Sequence, residues 1–268
     1  MIRVGCASLC CDGFDDTDFV HSFEILPEIG FEFIEFNCWH PRNLTPESVR
    51  SMKERCGASG LKATGVYGSG FGGSLVKDVA HKILMMDAAH KLGCQRIVAA
   101  GGPRSQGGTD DVIAALREIS TVAEELGISI CLENHANSNM ENADDYQRIF
   151  DAIPSPAIGV CLDTGHLDAA GVEIMAFIER FHSKTNHIHL KDNLAPGVKK
   201  FTKFGEGSTD NEHIVERYIE LGYNGFLVVE LSPEAFGLKM GSALSFQEVF
   251  DRKALQDAWN MFHRYERG

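Results

Sequence analysis

The sequence predicts a single parallel (β/α)₈ barrel, an α/β fold in which residues 1–268 form one domain. Two observations predict it. The length of 268 residues is close to the ~250 residues that such a barrel typically takes. Strand-like and helix-like segments also alternate eight times, with no Pro/Ser-rich linker between the two halves of the chain. Closure of the eight units into one barrel is therefore favoured.

The eight strand-like segments are short runs rich in β-branched and apolar residues, each followed by a helical pattern. They begin near Ile2, Phe31, Leu61, Arg96, Ile128, Ile158, Thr185 and Gly225. Their spacing of roughly 30 residues is that of a strand, a turn and a helix. Strands that alternate with helices form a parallel sheet.

Apolar residues at helical spacing predict the helices between these strands. The segments 74–92 and 110–126 are each followed by a glycine that is expected to end the helix. A last helix is expected over 245–264. The Gly-rich segment 67–74 lacks the Gly-Lys-Ser/Thr end of a phosphate-binding loop, so we expect a mobile loop after the third strand.

A doubly wound open sheet is the alternative fold. It expects a Gly-rich phosphate-binding turn after the first strand. Residues 7–11, which follow that strand, read Ala-Ser-Leu-Cys-Cys and contain no glycine. The barrel is therefore the better prediction.

Composition limits the functional classes. The net charge of −13 argues against a nucleic-acid partner, because the protein would repel a phosphate backbone. No run of about 18 apolar residues predicts a membrane span, and the first residues do not resemble a signal peptide. The eight cysteines form no CxxC pair, so we expect reduced thiols in a cytoplasmic protein.

Polar residues end each of the last four predicted strands. They are Glu133, Asp163, His189 and Glu230. In a barrel, the C-terminal ends of the strands converge on the face where active sites lie. One such residue could simply cap its strand, but four successive strands that end this way indicate a shared site.

Three carboxylates and one imidazole are suitable ligands for one divalent metal ion. Oxygen ligands favour Mg²⁺ or Mn²⁺, and the histidine shifts the preference toward Mn²⁺ or Co²⁺. Mn²⁺ is the expected cofactor, with Mg²⁺, Co²⁺ and Zn²⁺ as alternatives. An ion bound to a carbonyl and a neighbouring hydroxyl acidifies the carbon–hydrogen bond between them. Carboxylates on opposite sides of the substrate can then remove and return the proton.

The motifs around these residues resemble the xylose-isomerase-like TIM barrel superfamily, and above all its sugar and sugar-phosphate isomerases and epimerases. The resemblance is clear in strands five to eight. In the first half of the chain it rests only on the regular spacing of the strand–helix units. It is carried by Glu133-Asn134-His135, Asp163-Thr164-Gly165-His166, His187-Ile188-His189-Leu190-Lys191-Asp192, Gly205-Glu206-Gly207 and Val228-Val229-Glu230.

The resemblance implies a role for each matching residue. Glu133, Asp163, His189 and Glu230 match the metal ligands, and Glu133 and Glu230 also match the catalytic pair that moves protons. His166 matches a residue that holds a substrate oxygen. We further expect Lys191, at the mouth of the barrel, to bind an enediolate oxygen or a phosphate.

The motifs do not identify the substrate. Free-ketose 3-epimerases carry an arginine six residues after the ligand histidine, where this chain has Ala195. Residues 191–193, Lys-Asp-Asn, are more similar to ketose-phosphate epimerases and inosose dehydratases. The resemblance therefore implies an isomerase or epimerase of a ketose, ketose phosphate or keto-sugar, with a small-molecule sugar or sugar phosphate as its partner.

Three other functions are weighed against this one. A lyase of the same fold, which dehydrates an inosose or cleaves a keto-glycoside, would begin with the same proton abstraction. An apurinic endonuclease is disfavoured by the acidic net charge and by the one ligand histidine. A sugar-binding protein without catalytic activity would not need a proton-moving pair of carboxylates.

Residues and loops near the predicted site are expected to support it. His187 is expected to point away from the ligand histidine, and Glu206 to organise its turn. His135 would either cap a loop or touch substrate. Loops 191–209 and 231–244 are long, and we expect a lid or a subunit contact there, which would allow a homo-oligomer. An apolar wall for a sugar is expected from Trp39, Tyr67 and Phe71.

Overall fold

The computed structural model describes residues 1–14, 18–72, 74–104, 108–238 and 245–266. Eight parallel strands form a closed barrel in the order β1-β10-β7-β6-β5-β4-β3-β2. They are β1 Arg3–Ala7, β2 Phe33–Cys38, β3 Lys62–Phe71, β4 Arg96–Gly101, β5 Ser129–Glu133, β6 Ile158–Asp163, β7 Thr185–Leu190 and β10 Phe226–Val229. The predicted (β/α)₈ barrel is confirmed. That one domain occupies the whole chain stays a prediction.

Helices surround the barrel in the described part of the chain. They are α1 Leu9–Asp12, α2 Val20–Ile29, α3 Pro46–Ser59, α4 Leu75–Leu92, α5 Gly108–Leu126, α6 Ala143–Ala152, α7 Thr164–Ala169, α8 Ile174–Phe181, α9 Asn211–Glu220 and α10 Arg252–Phe262. Short 3₁₀ turns cover Pro41–Leu44, His182–Lys184, Pro233–Phe236, Phe246–Glu248 and His263–Glu266. None of the helices in the described ranges is long and apolar enough to cross a membrane.

The predicted helix stops are confirmed in α4 and α5. Gly93 and Gly127 follow these helices with φ angles of 81° and 64°, the left-handed conformation that glycine adopts without strain. The last helix, expected over 245–264, begins later, at Arg252. The Asp251 side chain accepts hydrogen bonds from the backbone N–H groups of the second and third helical residues, which fixes the start there.

The predicted mobile loop after the third strand is wrong for Tyr67 to Phe71, which extend β3. Lys82 on α4 donates from Nζ to the backbone oxygens of Ser69 and Gly70 at 2.6 and 3.3 Å, which ties the strand to the helix. A Cβ at Gly68 would lie 2.6 Å from a methionine sulfur of α4. Glycine therefore permits close packing here. Gly73 lies outside the described residues.

The long connection after β7 is also ordered. It forms a two-stranded antiparallel hairpin of β8 Asp192–Ala195 and β9 Val198–Thr202. The backbone N–H groups of Gly205 and Gly207 donate to Asp192 Oδ2 at 2.9 and 3.1 Å. The two glycine amides organise this turn, whereas Glu206 between them is exposed. A lid or subunit contact in this connection stays a prediction.

A separate apolar group lines the inside of the barrel. It consists of Tyr67, Val98, Cys131 and Cys161, from the four consecutive strands β3 to β6. Tyr67 pairs in register with Val98, and Val98 pairs with Cys131. These side chains form an apolar layer beside the polar residues at the C-terminal ends of the strands.

Candidate metal centre

The structure brings together the four residues predicted as metal ligands. Glu133 ends β5, Asp163 ends β6, His189 lies near the end of β7, and Glu230 directly follows β10. One potential ligand atom from each residue lies within 4.8 Å of the others. All four side chains are buried, with 0–5% of each residue exposed.

His189 lies between two of the carboxylates. Its Nδ1 atom is 2.8 Å from Glu133 Oε1 and 2.8 Å from Glu230 Oε2. One imidazole nitrogen therefore faces the point on which the two glutamates converge. A cation at that point would be in reach of all three side chains.

Lys191 joins the remaining carboxylate to the group. Its Nζ atom lies 2.9 Å from Asp163 Oδ2 and 2.8 Å from Glu230 Oε1. Burial would lower the pKa of Lys191, but these two carboxylates raise it above its ordinary value, so the side chain stays charged. The ammonium group partly neutralises the acidic cluster.

Burial has the opposite effect on Asp163. It raises the pKa of the Asp163 carboxyl, and Lys191 opposes that rise. For Glu230, burial likewise favours the neutral form, but Lys191 and His189 lower its pKa to about 2. Because buried carboxylates repel one another, a group of this kind needs positive charge beside it.

Asn134 fixes the ends of two strands that carry proposed ligands. Its Oδ1 atom accepts from the backbone N–H of Asp163 at 2.9 Å, and its Nδ2 donates to the backbone oxygen of the same residue at 2.8 Å. The side chain thus extends the pairing between β5 and β6. It sets the separation of Glu133 from Asp163.

Asp163 has a second structural role, as the N-cap of α7. Its Oδ1 atom accepts from the backbone N–H of His166 at 2.7 Å, while Oδ2 faces Lys191. Gly165, in the first turn of α7, lies directly against Lys191. A Cβ at Gly165 would lie 2.8 Å from Lys191 Cγ. Glycine is therefore needed for this close approach.

Cys10 supports the backbone on both sides of Glu230. Its thiol donates to the backbone oxygen of Val229 at 3.4 Å, and its sulfur accepts from the backbone N–H of Leu231 at 3.1 Å. The thiol is buried and lies on α1, which follows β1. The sequence pattern did not predict these contacts, because they join Cys10 to residues 219 and 221 positions away in the chain.

The His166 ring contacts the His135 ring at the edge of the centre, with centroids 3.4 Å apart and the ring planes tilted by 33°. Its Nδ1 atom accepts from the backbone N–H of Ala136 at 3.3 Å, so that Nε2 carries the proton. Burial lowers the pKa of both imidazoles, that of His135 to about 4. His166 is thus a neutral hydrogen-bond donor at the edge of the centre.

The predicted apolar wall is only partly present. The Trp39 and Tyr67 rings are in edge-to-face contact with centroids 5.0 Å apart, and the Tyr67 hydroxyl donates to Glu133 Oε2. Phe71, by contrast, is fully buried in the main hydrophobic core, with the Lys82 ammonium 4.4 Å from its ring centroid. Trp39 and Tyr67 therefore flank the site, and Phe71 does not.

The expected orientation of His187 is wrong. Its Nε2 atom lies 2.7 Å from Glu35 Oε2, and Glu35 Oε1 lies 2.9 Å from Nε2 of His189. Successive side chains on a strand alternate, so residues two apart share a face. Sequence reasoning also missed Glu35, although a carboxylate within the apolar run Phe-Ile-Glu-Phe of β2 is an unusual feature.

A closed (β/α)₈ barrel with a buried acidic cluster at the C-terminal ends of its strands defines a class of TIM-barrel proteins with a candidate metal site at the active-site face. A family profile identifies the branch within that class. The profile described as xylose isomerase-like TIM barrel matches residues 23–247. The chain belongs to this family.

Comparisons with known proteins are consistent with membership of this family. An inosose dehydratase from Lacticaseibacillus casei is 26% identical over 177 residues, covering 54% of this chain. The chain thus matches only 59% of the length of that relative. A D-allulose 3-epimerase from Methylomonas sp., solved with D-allulose, has a TM-score of 0.79 at 16% identity, covering 98% of this chain and 96% of that one. The IOLI protein, solved with a zinc atom, has a TM-score of 0.75 at 19% identity, covering 98% and 99%.

The contact between Gly165 and Lys191 gives a prediction about packing. Gly165→Ala should destabilise the protein by about 1–3 kcal/mol, because the methyl group would force Lys191 away. Urea unfolding measures the change. Gly57→Ala on α3 is the control, since a Cβ there meets nothing within 4 Å and should be neutral or stabilising. Equal stability of the Gly165 variant and wild type would contradict the packing described.

Proposed function

We propose that the chain is a divalent-metal-dependent isomerase or epimerase that acts on a ketose, ketose phosphate or keto-sugar. The supporting observation is the buried group Glu133, Asp163, His189 and Glu230 at the C-terminal ends of the barrel strands. We propose that these four side chains are the metal ligands. Proton abstraction next to the substrate carbonyl, through an enediolate, would be the central step.

The charges of the side chains support a divalent ion. With all three carboxylates ionised and His189 neutral, as metal ligation requires, the Lys191 ammonium would compensate only one of the three negative charges. A bound divalent cation would supply Lewis-acid polarisation of the substrate carbonyl. Mn²⁺ is our proposal among Mn²⁺, Mg²⁺, Co²⁺ and Zn²⁺, because the group offers mainly oxygen atoms and one nitrogen.

Glu133 and Glu230 are proposed as the two groups that move the proton. Each has one oxygen near His189 Nδ1 and a second oxygen that faces elsewhere. The second oxygen of Glu133 accepts from the Tyr67 hydroxyl, and that of Glu230 contacts Lys191. Strands β5 and β10 are separated in the barrel by β6 and β7. The two carboxylates can therefore approach a bound substrate from different sides.

Lys191 and His166 are proposed as substrate-binding residues. Lys191 offers a charged ammonium between two carboxylates, and His166 offers a neutral Nε2–H donor. Both can stabilise negative charge that develops on a substrate oxygen when the proton leaves. Trp39 and Tyr67 would form the apolar side of the pocket.

A lyase of the same fold is the second candidate function. The curated relative from Lacticaseibacillus casei is named an inosose dehydratase. Dehydration also begins with removal of a proton next to a carbonyl, so the proposed ligands serve either reaction. Product mass separates the two functions, because isomerisation conserves it and dehydration lowers it by one water.

An apurinic endonuclease is less consistent with the site. Within the described ranges, none of the candidate metal groups contains more than two histidines. The chain also carries a net charge of −13, which opposes binding to a nucleic acid. A panel of ketoses, ketose phosphates and keto-inositols, assayed with Mn²⁺ and followed by mass spectrometry, tests the proposed function.

The first prediction concerns the metal. One equivalent of divalent metal should copurify with the protein, chelation should abolish turnover, and Mn²⁺ or Co²⁺ should restore it. His189→Ala should lose the metal, since it removes the proposed nitrogen ligand, whereas His213→Ala, at an exposed position of α9, should keep it. Elemental analysis and calorimetric titration measure both. Full metal content in the His189 variant would refute the ligand assignment.

The second prediction concerns the acid/base pair. Glu133→Gln and Glu230→Gln should each retain some metal but lower kcat by roughly 10²–10⁴-fold, because the amide cannot accept the proton. Wild-type enzyme in D₂O should introduce deuterium at the carbon beside the carbonyl. Glu206→Gln, at an exposed turn, is the control and should behave as wild type. Wild-type turnover in both Gln variants would require a different mechanism.

The third prediction concerns substrate binding. Lys191→Ala and His166→Ala should each lower kcat/KM by about 10–100-fold, the effect of losing a hydrogen bond to a charged group. Metal content should be unchanged in both. Lys200→Ala on the exposed hairpin is the control for Lys191. If either site variant lost its metal, the residue would belong to the ligand set.

A further inference from the structure

A fully buried carboxylate, Glu35 on β2, lies beside the candidate metal centre and has no role in the function proposed above. None of its surface is exposed. Oε1 lies 2.9 Å from His189 Nε2, and Oε2 lies 2.7 Å from His187 Nε2. Each oxygen thus has its own imidazole nitrogen, and all three side chains are fully buried.

A buried carboxylate is costly unless it is paired. Burial favours the neutral form of Glu35, yet the contacts with His189 and His187 bring its pKa below the ordinary value. These short contacts do not have the geometry of ideal hydrogen bonds. Distance and burial, rather than ideal hydrogen-bond angles, therefore define this group of three residues.

The two nitrogens of His189 face different partners. Nδ1 faces Glu133 and Glu230, where the proposed ion would be held, and Nε2 faces Glu35. A neutral imidazole has one nitrogen with a lone pair and one with a proton. If Nδ1 donates its lone pair to the ion, Nε2 must carry the proton, and its partner must be an acceptor.

We propose that Glu35 is a positioning residue that accepts the Nε2 proton of His189 and so directs the lone pair of Nδ1 toward the metal site. This inference rests on the proposed metal centre. A carboxylate that orients a metal-binding histidine fixes both its tautomer and its ring orientation. Glu35 acts through His189 and does not touch the substrate.

His187 completes the arrangement by holding the second oxygen of Glu35. Its Nε2 atom lies 2.7 Å from Glu35 Oε2. Because His187 and His189 lie on the same face of β7, one carboxylate from β2 can reach both. Strand β2 thereby helps to position a proposed ligand on β7, although β1 and β10 lie between these two strands in the barrel.

A second metal ion held by Glu35, His187 and His189 is the competing explanation, since these residues also lie within 4.8 Å of one another. His189 would then have to bind an ion through each of its nitrogens. That requires removal of both ring protons, whereas the positioning role requires only a neutral imidazole. Metal stoichiometry separates the two: one equivalent supports positioning, and two equivalents overturn it.

The main experiment measures Zn²⁺ and Mn²⁺ affinity by competition with a chelator in Glu35→Gln. An amide cannot accept from both imidazoles, so affinity should fall by roughly 10–100-fold. Glu32→Gln is the matched control, because Glu32 directly precedes β2 and is an exposed glutamate that pairs with Lys62. Its metal affinity should remain close to that of wild type. Thermal unfolding of the metal-free proteins reports any general loss of stability.

A second measurement reads the protonation of His189 in the wild-type protein and does not require Glu35→Gln to fold. Nitrogen NMR of the Zn²⁺-loaded wild-type protein, labelled with ¹⁵N-histidine and assigned with His187→Gln, identifies the protonated nitrogen of His189. A proton on Nε2 with Nδ1 bound to zinc supports the proposal. A proton on Nδ1, or unchanged affinity in a folded Glu35→Gln protein, overturns it while leaving the metal centre intact. A wild-type protein that binds no ion would overturn the proposed function as well.

Discussion

The mutual repulsion of three buried carboxylates is the constraint on which the rest of this site depends. Glu133, Asp163 and Glu230 end separate strands and point at one another within 4.8 Å. Two like charges 4 Å apart at an effective dielectric constant of 20 repel by about 4 kcal/mol. Positive charge nearby offsets this repulsion, and the raised pKa of Asp163 reduces it further by favouring the neutral carboxyl. Lys191 supplies one such charge, and the proposed divalent ion supplies the rest.

The side chains that form the centre are also parts of the backbone architecture. Asp163 caps α7, and Asn134 closes the gap between β5 and β6. Cys10 holds the backbone on either side of Glu230. The positions of the proposed ligands are therefore set by the same contacts that define the strand ends, and residues distant in sequence determine the geometry of the site.

Most of the barrel, and the residues that meet at its C-terminal end, could be predicted from the sequence. Repeated strand–helix units fixed the strand positions, and strands that end in polar residues indicated Glu133, Asp163, His189 and Glu230. What could not be predicted depends on contacts across the barrel. The apposition of Glu35 to His189 depends on which strands face each other after closure. The extension of β3 depends on contacts from Lys82, and the start of α10 depends on how well Asp251 caps it.

The ammonium of Lys191 has a consequence for how the centre is assembled. It bridges Asp163 and Glu230 with contacts that require no bound ion. The conformational entropy of the proposed ligands is therefore lost when the chain folds, and not when a metal arrives. A small zinc domain, by contrast, folds only as its ion binds. The C-terminal mouth of this barrel is preorganised. The free energy of cation binding would therefore not be spent on ordering the side chains that hold the cation.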